Sequence, residues 1–148
     1  MQTLVPWRAA FDDSRKSHSA RARYFSGTAT YHADFAVSSE CPRSKIVLDL
    51  GRVETQAVVR VNGSVAATVN HAPYVADITP HVKLGLNKLE IAVTSSETNS
   101  FIYYATLPKQ EHGRNATSGF SSETPLVDNG LFGPVVLVCG ENFQESTK

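Results

Sequence analysis

Three observations in this 148-residue chain predict an all-β fold built as a β-sandwich. Apolar residues recur at every second position through most of its length, Asn62-Gly63 stands between two apolar runs, and helical periodicity is almost absent. Alternation with period two lets a strand bury one face and wet the other. Several short strands of that kind, separated by turn signals and with little helix between them, close as two packed sheets.

The first strand runs from Thr30 to Val37, with Tyr31, Ala33, Phe35 and Val37 inward and Thr30, His32, Asp34 and Ala36 outward. The second, Lys45 to Leu50, turns Ile46, Leu48 and Leu50 inward and ends at Gly51. Val58–Val61 and Val65–Val69 flank Asn62-Gly63, a pair that favours the positive φ angles of a type I′ hairpin turn. Thr79 before Pro80 fits an N-cap followed by proline at the first helical position, and predicts a single turn of helix closed near Gly85. Leu89, Ile91 and Val93 alternate in a further strand, and the almost wholly apolar Val135–Val138 predicts a last strand buried on both faces.

Two stretches fall outside this pattern. The chain reads as one domain over 1–148, with an N-terminal extension over 1–23 and a long polar insert over 95–130. A loop of that length is functional, disordered, or conceals short strands. Phe101 and Tyr103 alternate within it as the inner face of a strand would.

Lys plus Arg and Asp plus Glu both total 14, so the net charge is zero and no global field favours nucleic acid or an anionic membrane. No apolar run reaches the roughly 18 to 20 residues of a membrane span, and the first residues lack the apolar block of a secretion signal. Cys41 and Cys139, the two cysteines, are read either as one disulfide or as unpaired thiols, with Cys139 a small buried hydrophobe. The sequons at Asn62 and Asn115 matter only in a chain secreted by a eukaryote, and the first is read as chance because Asn62-Gly63 already serves a turn.

Six blocks then occur in an order that resembles one family. YFSGTATYHADF spans Tyr24 to Phe35, KIVLDLGRV follows from Lys45, and VVRVNG ends at Gly63. Pro73-Tyr74 leads into Asp77-Ile78-Thr79, Gly85-Leu86-Asn87 precedes LEIAV, and GLFGPV runs from Gly130 to Val135. The sequence is similar to the jelly-roll, galactose-binding-like β-sandwich modules of large glycoside hydrolases, particularly α-L-rhamnosidase-type and β-galactosidase-type enzymes, over roughly Trp7 to Val138. The resemblance implies a jelly roll and a non-catalytic accessory role, with the catalytic carboxylates on a separate domain, typically a barrel. It implies a catalytic domain of a glycoside hydrolase and carbohydrate as partners, and an extracellular location if the parent enzyme is secreted. It also implies that the chain is a terminal piece of a larger glycosidase. The polar stretch from Pro108 to Asp128 departs from the pattern.

The residues give no catalytic constellation of their own. Glycoside hydrolysis needs two carboxyl groups flanking the scissile bond, whereas Asp34, Asp49, Glu54, Glu90 and Glu97 read as a solvated sheet face. His18, His32, His71, His81 and His112 lack the spacing of a zinc site, so neither a metal nor a cofactor is expected. Asp12, Asp13 and Glu141 are acidic groups near the chain ends, without the alternating oxygen ligands of a calcium loop. A sugar site needs aromatic platforms beside planar polar groups. Candidate carbohydrate-binding residues are therefore His71, Tyr74, Asn99, Tyr103, Tyr104, His112 and Arg114, each also explicable as packing or solvated loop. Trp7, Tyr31, Phe35 and Phe132 are given a packing role instead. Two alternatives to the accessory domain are a free-standing carbohydrate-binding module and a protein-interaction sandwich that binds no sugar.

Overall fold

In a computed structural model the chain is described at residues 7, 23–41, 44–108 and 119–140. Among the described residues, seven strands form two antiparallel sheets: β1 Thr28–Val37, β2 Ile46–Asp49, β3 Gln56–Val61, β4 Ser64–Val69, β5 Val75–Asp77, β6 Gly85–Thr94 and β7 Val136–Cys139. One sheet has the order β1-β6-β3-β4 and the other β5-β2-β7, so the chain crosses repeatedly between them. Ile46, Leu48, Ala76 and Leu137 of the smaller sheet meet Val59, Val61, Leu89, Ile91 and Val93 of the larger in one apolar core. The fold is a β-sandwich of the galactose-binding-like, jelly-roll kind.

The inward parity read from sequence holds in β6 and, except at the exposed Ala33, in β1; β3 alternates in the same way. Ala57, Val59 and Val61 are buried while Gln56, Val58 and Arg60 are partly wet, and Leu89, Ile91 and Val93 alternate with Glu90, Ala92 and Thr94. The expectation for the last strand is corrected. β7 lies at a sheet edge and leaves Val136 44% exposed; the strand buried on successive residues is β2, where Ile46, Val47 and Leu48 are all enclosed. A continuous apolar run marks a strand with apolar neighbours, which does not require a central position.

The short helical turn is a 3-10 helix, Thr79–His81, with Ile78 rather than Thr79 at the N-cap. Thr79 is occupied otherwise: its hydroxyl donates to Asp77 Oδ1 and accepts from Ile46 N at 2.8 Å, tying β5 to the start of β2. The second correction concerns the polar insert. Thr98–Thr106 is an α-helix, α1, that buries Asn99 and Ile102. Phe101 and Tyr103 therefore do not share a strand face. Asn99 and Ile102, three apart, form the buried stripe, and a stripe of two residues is too short for a sequence pattern to reveal.

The strand ends sort the connections into two groups. At the turn end lie the Asn62-Gly63 hairpin, the β1–β2 loop and residues 78–84. At the helix end lie residues 23–27, 50–55, 70–74, α1 and 129–135. Cys41 and Cys139 form a disulfide at the turn end that joins the β1–β2 loop to the last residue of β7. The alternative of unpaired thiols is thereby excluded.

Candidate functional site

At the turn end two asparagines interlock. Asn62 and Gly63 adopt φ of 52° and 85°, as a type I′ turn requires. Asn62 Nδ2 donates to His81 O and to Asn87 Oδ1, each at 2.9 Å, and its Oδ1 accepts from Lys88 N at 3.1 Å. Asn87, 1% exposed, completes the knot. Its Oδ1 also accepts from Lys83 N, and its Nδ2 donates to Lys83 O and Gly85 O. A buried amide is stable only when its donors and acceptors are matched, and here they are. The valine-asparagine-glycine and glycine-leucine-asparagine blocks thus form a single hydrogen-bonded unit.

Asp77 is the one carboxyl with a resolved shift. The Thr79 hydroxyl, then the Thr79 backbone N–H, hold it below its ordinary range against a slight desolvation, and Lys45 adds the smallest contribution. Its bonds make it a turn-former, since Oδ1 accepts from Thr79 N two residues on.

At the helix end the segment 127–134 is fixed by distant parts of the chain. Asn99 Oδ1 accepts from Val127 N and its Nδ2 donates to Val127 O, both at 2.9 Å. Trp7 donates its backbone N–H to Asn129 O and its indole N–H to the Tyr31 hydroxyl at 2.7 Å. Gly130 packs against Trp7 and Gly51 against Gly133 so closely that a Cβ would reach within 3.0 Å of the Trp7 ring and 2.3 Å of Gly133 O. Phe132, expected from sequence to pack, lies half-buried with the Arg52 guanidinium 4.3 Å above its ring.

The seven sequence-predicted carbohydrate residues fall into separate places. His71 is exposed on the β4–β5 loop with Nδ1 3.1 Å from Ala72 O. Tyr74 is half-buried against the core, and its carbonyl accepts from Leu50 N. Asn99 is enclosed, with both amide atoms committed to Val127. Tyr103 and Tyr104 lie half-buried on α1, rings 5.9 Å apart, and Tyr103 sits 5.4 Å from Tyr24, which carries Arg23 at 5.0 Å. Phe101 stacks on Phe120 at 5.8 Å and 17°. His112 and Arg114, like Asp12, Asp13 and Glu141, lie outside the described residues. Tyr24 and Arg23 were missed because they precede the first strand and only the fold brings them to α1.

Among the described residues, no three His, Cys, Asp or Glu side chains converge as metal ligands, and no helix is long and apolar enough to cross a membrane. A shallow hollow of about 430 Å³ opens over β1 and β6, lined by His32, Ala33, Asp34, Lys88, Leu89 and Glu90. His32 Nδ1 is 4.0 Å from Glu90 there, an exposed pair of little energetic weight.

Residues 5–123 match the family model described as glycosyl hydrolase 2 galactose-binding domain-like. Among solved structures, a rhamnosidase from Novosphingobium sp. PP1Y is similar over 86% of this chain and 12% of its own, at 37% identity and a TM-score of 0.67. A β-glucuronidase of Ruminococcus gnavus aligns with 56% of this chain and 14% of its own, at 23% identity and a TM-score of 0.48. A protein of Formosa agariphila described as a candidate β-glucuronidase is 46% identical over 88 residues, which are 58% of this chain and 8% of that protein. The chain therefore spans about a tenth of the length of such relatives.

Proposed function

This chain belongs to the glycosyl hydrolase 2 galactose-binding domain-like family, and from that premise we propose that it is a non-catalytic accessory domain of a rhamnosidase-like glycoside hydrolase. It packs against a catalytic domain carried elsewhere. The observation that supports this most is the rhamnosidase similarity: 86% of this chain corresponds to 12% of that enzyme, so the same sandwich occurs there as one part of a much larger glycosidase. A second support comes from the motif blocks. Asn62, Asp77, Thr79, Asn87 and Asn99 all direct their polar atoms to the chain's own backbone and side chains, which is the work of a scaffold. Exposed Leu84 and Leu86, the latter 61% exposed, and Val136 supply apolar surface for a neighbour.

Calorimetric titration of the chain into the rhamnosidase with its corresponding segment deleted tests the packing role. Saturable binding at one site per molecule is the expected result, and heats indistinguishable from dilution count against the proposal. A second reading, direct contact with carbohydrate, is favoured by the Tyr24, Tyr103 and Tyr104 rings beside Arg23, since aromatic faces suit the apolar faces of pyranoses. His71, Tyr74, His112 and Arg114 are its further candidates. Titration with rhamnose, galactose and glucuronic acid, read from tyrosine and Trp7 fluorescence, decides it: a saturable change supports contact, and flat emission at millimolar sugar removes it.

A further inference from the structure

We propose that the free edge of β1 is a self-association surface, on which two copies of this chain pair antiparallel with Ala33 at the two-fold axis. β1 ends the larger sheet, and its ten residues pair with β6 without a register shift. No described strand pairs with its other edge. A long, regular, unpaired edge is a template for another strand. The opposite edge is protected, because β4 is six residues long and its pairing with β3 is interrupted at Val59/Arg60. β1 has no proline, no lysine and no such interruption.

Two hydrogen bonds fix which backbone groups point outward. Asn62 N donates to Lys88 O, so Lys88 and the other even-numbered residues of β6 bond toward β3, and the odd-numbered ones toward β1. Ser95 N donates to Gly27 O, one step beyond Thr28–Thr94, and places the odd-numbered residues of β1 toward β6. Thr28, Thr30, His32, Asp34 and Ala36 therefore present their N–H and C=O groups to the free edge.

A second β1 must offer the same even-numbered groups, so even pairs with even. Full overlap of two copies would pair even with odd and is excluded. The nearest allowed registers put either His32 or Ala33 on the axis. With His32 there, the two imidazoles oppose each other and no opposite charges meet. With Ala33 there, each His32 faces Asp34 of the second copy, and each Tyr31 faces Phe35 of the second copy on the other side of the sheet. Cross-strand pairs of those kinds stabilise a ladder, and like groups do not. His32, Ala33, Asp34 and Ala36 are exposed. The contact is isologous and closes at two copies. One strand pair is a small interface, which puts dissociation in the micromolar range.

Sedimentation velocity on the whole chain from low micromolar to near-millimolar concentration tests this proposal, independently of any glycosidase role. The expected result is a monomer that converts to a dimer as concentration rises. Ala33→Lys and Ala33→Glu, at an exposed position, should each leave the circular dichroism and melting temperature unchanged and abolish the dimer. Mixing the two in equal amounts should restore it. A chain monomeric throughout the range, a dimer that survives in either variant, or a mixture no more associated than its components would overturn the proposal.

Discussion

At the turn end, Asn62 and Asn87 close two connections, the hairpin and residues 78–84, through hydrogen bonds between residues at most 26 apart in sequence. At the helix end, residues 127–134 are held by Asn99, Trp7, Tyr31 and Gly51, the Tyr31–Leu131 bond alone spanning 100 residues. The first arrangement is mostly polar and local, and the second depends on close approach of distant backbone. Changes at the turn end should therefore cost what a hydrogen bond costs, while changes at the helix end should cost what a steric clash costs.

The largest effect is expected where the turn end borrows a long-range constraint. The Cys41–Cys139 disulfide closes a separation of 98 residues, and on the chain-entropy account its loss removes about 4 to 5 kcal/mol. Urea unfolding with and without reductant measures it, and a midpoint unmoved by reduction would mean that β7 is held without the link. Next come two glycines with positive φ. Gly51→Ala drives a Cβ into Gly133 and should cost about 4 kcal/mol or prevent folding, whereas Gly63→Ala, with nothing within 4 Å, should cost about 1 kcal/mol. Equal losses in thermal denaturation would erase the contrast between the two ends.

Asn87→Ala follows, at about 3 kcal/mol, because it strands Lys83, Gly85 and Asn62 groups at once. Asn87→Asp should recover only part, since a carboxylate cannot donate to the Lys83 and Gly85 carbonyls. The smallest expected effect is a pH dependence. Asp77 titrates below its ordinary value of 3.8 in the folded chain, so its contribution is present above that pH and is lost as pH falls through the lower, folded value. Asp77→Asn should flatten the stability profile in acid below 3.8 and leave it parallel above; a profile unchanged in acid would show that Thr79 does not hold the carboxylate.

The same contrast governs how much could be read in advance. Asn62-Gly63, the alternation of Leu89, Ile91 and Val93, and the Asp77-to-Pro80 turn are legible because neighbours in sequence determine them. α1 was not, since only Asn99 and Ile102 face inward and the rest of Thr98–Thr106 is polar or aromatic without a period. Phe132 was legible as a packing residue, but its partner Arg52 is reached only through the fold. Tyr103 and Tyr104 were singled out as candidates in the sequence, which gave no sign that Tyr24 lies beside Tyr103. Asn99 looked like a polar partner because its buried bonds to Val127 leave no trace in residue type.

The proposed scaffold role for a catalytic domain is tested most directly in the rhamnosidase that this chain resembles. Activity on an aryl rhamnoside should fall sharply when the corresponding segment is deleted, chiefly through loss of soluble, folded enzyme. It should return when this chain is inserted in its place. A deletion as active and as stable as the intact enzyme would contradict the scaffold role.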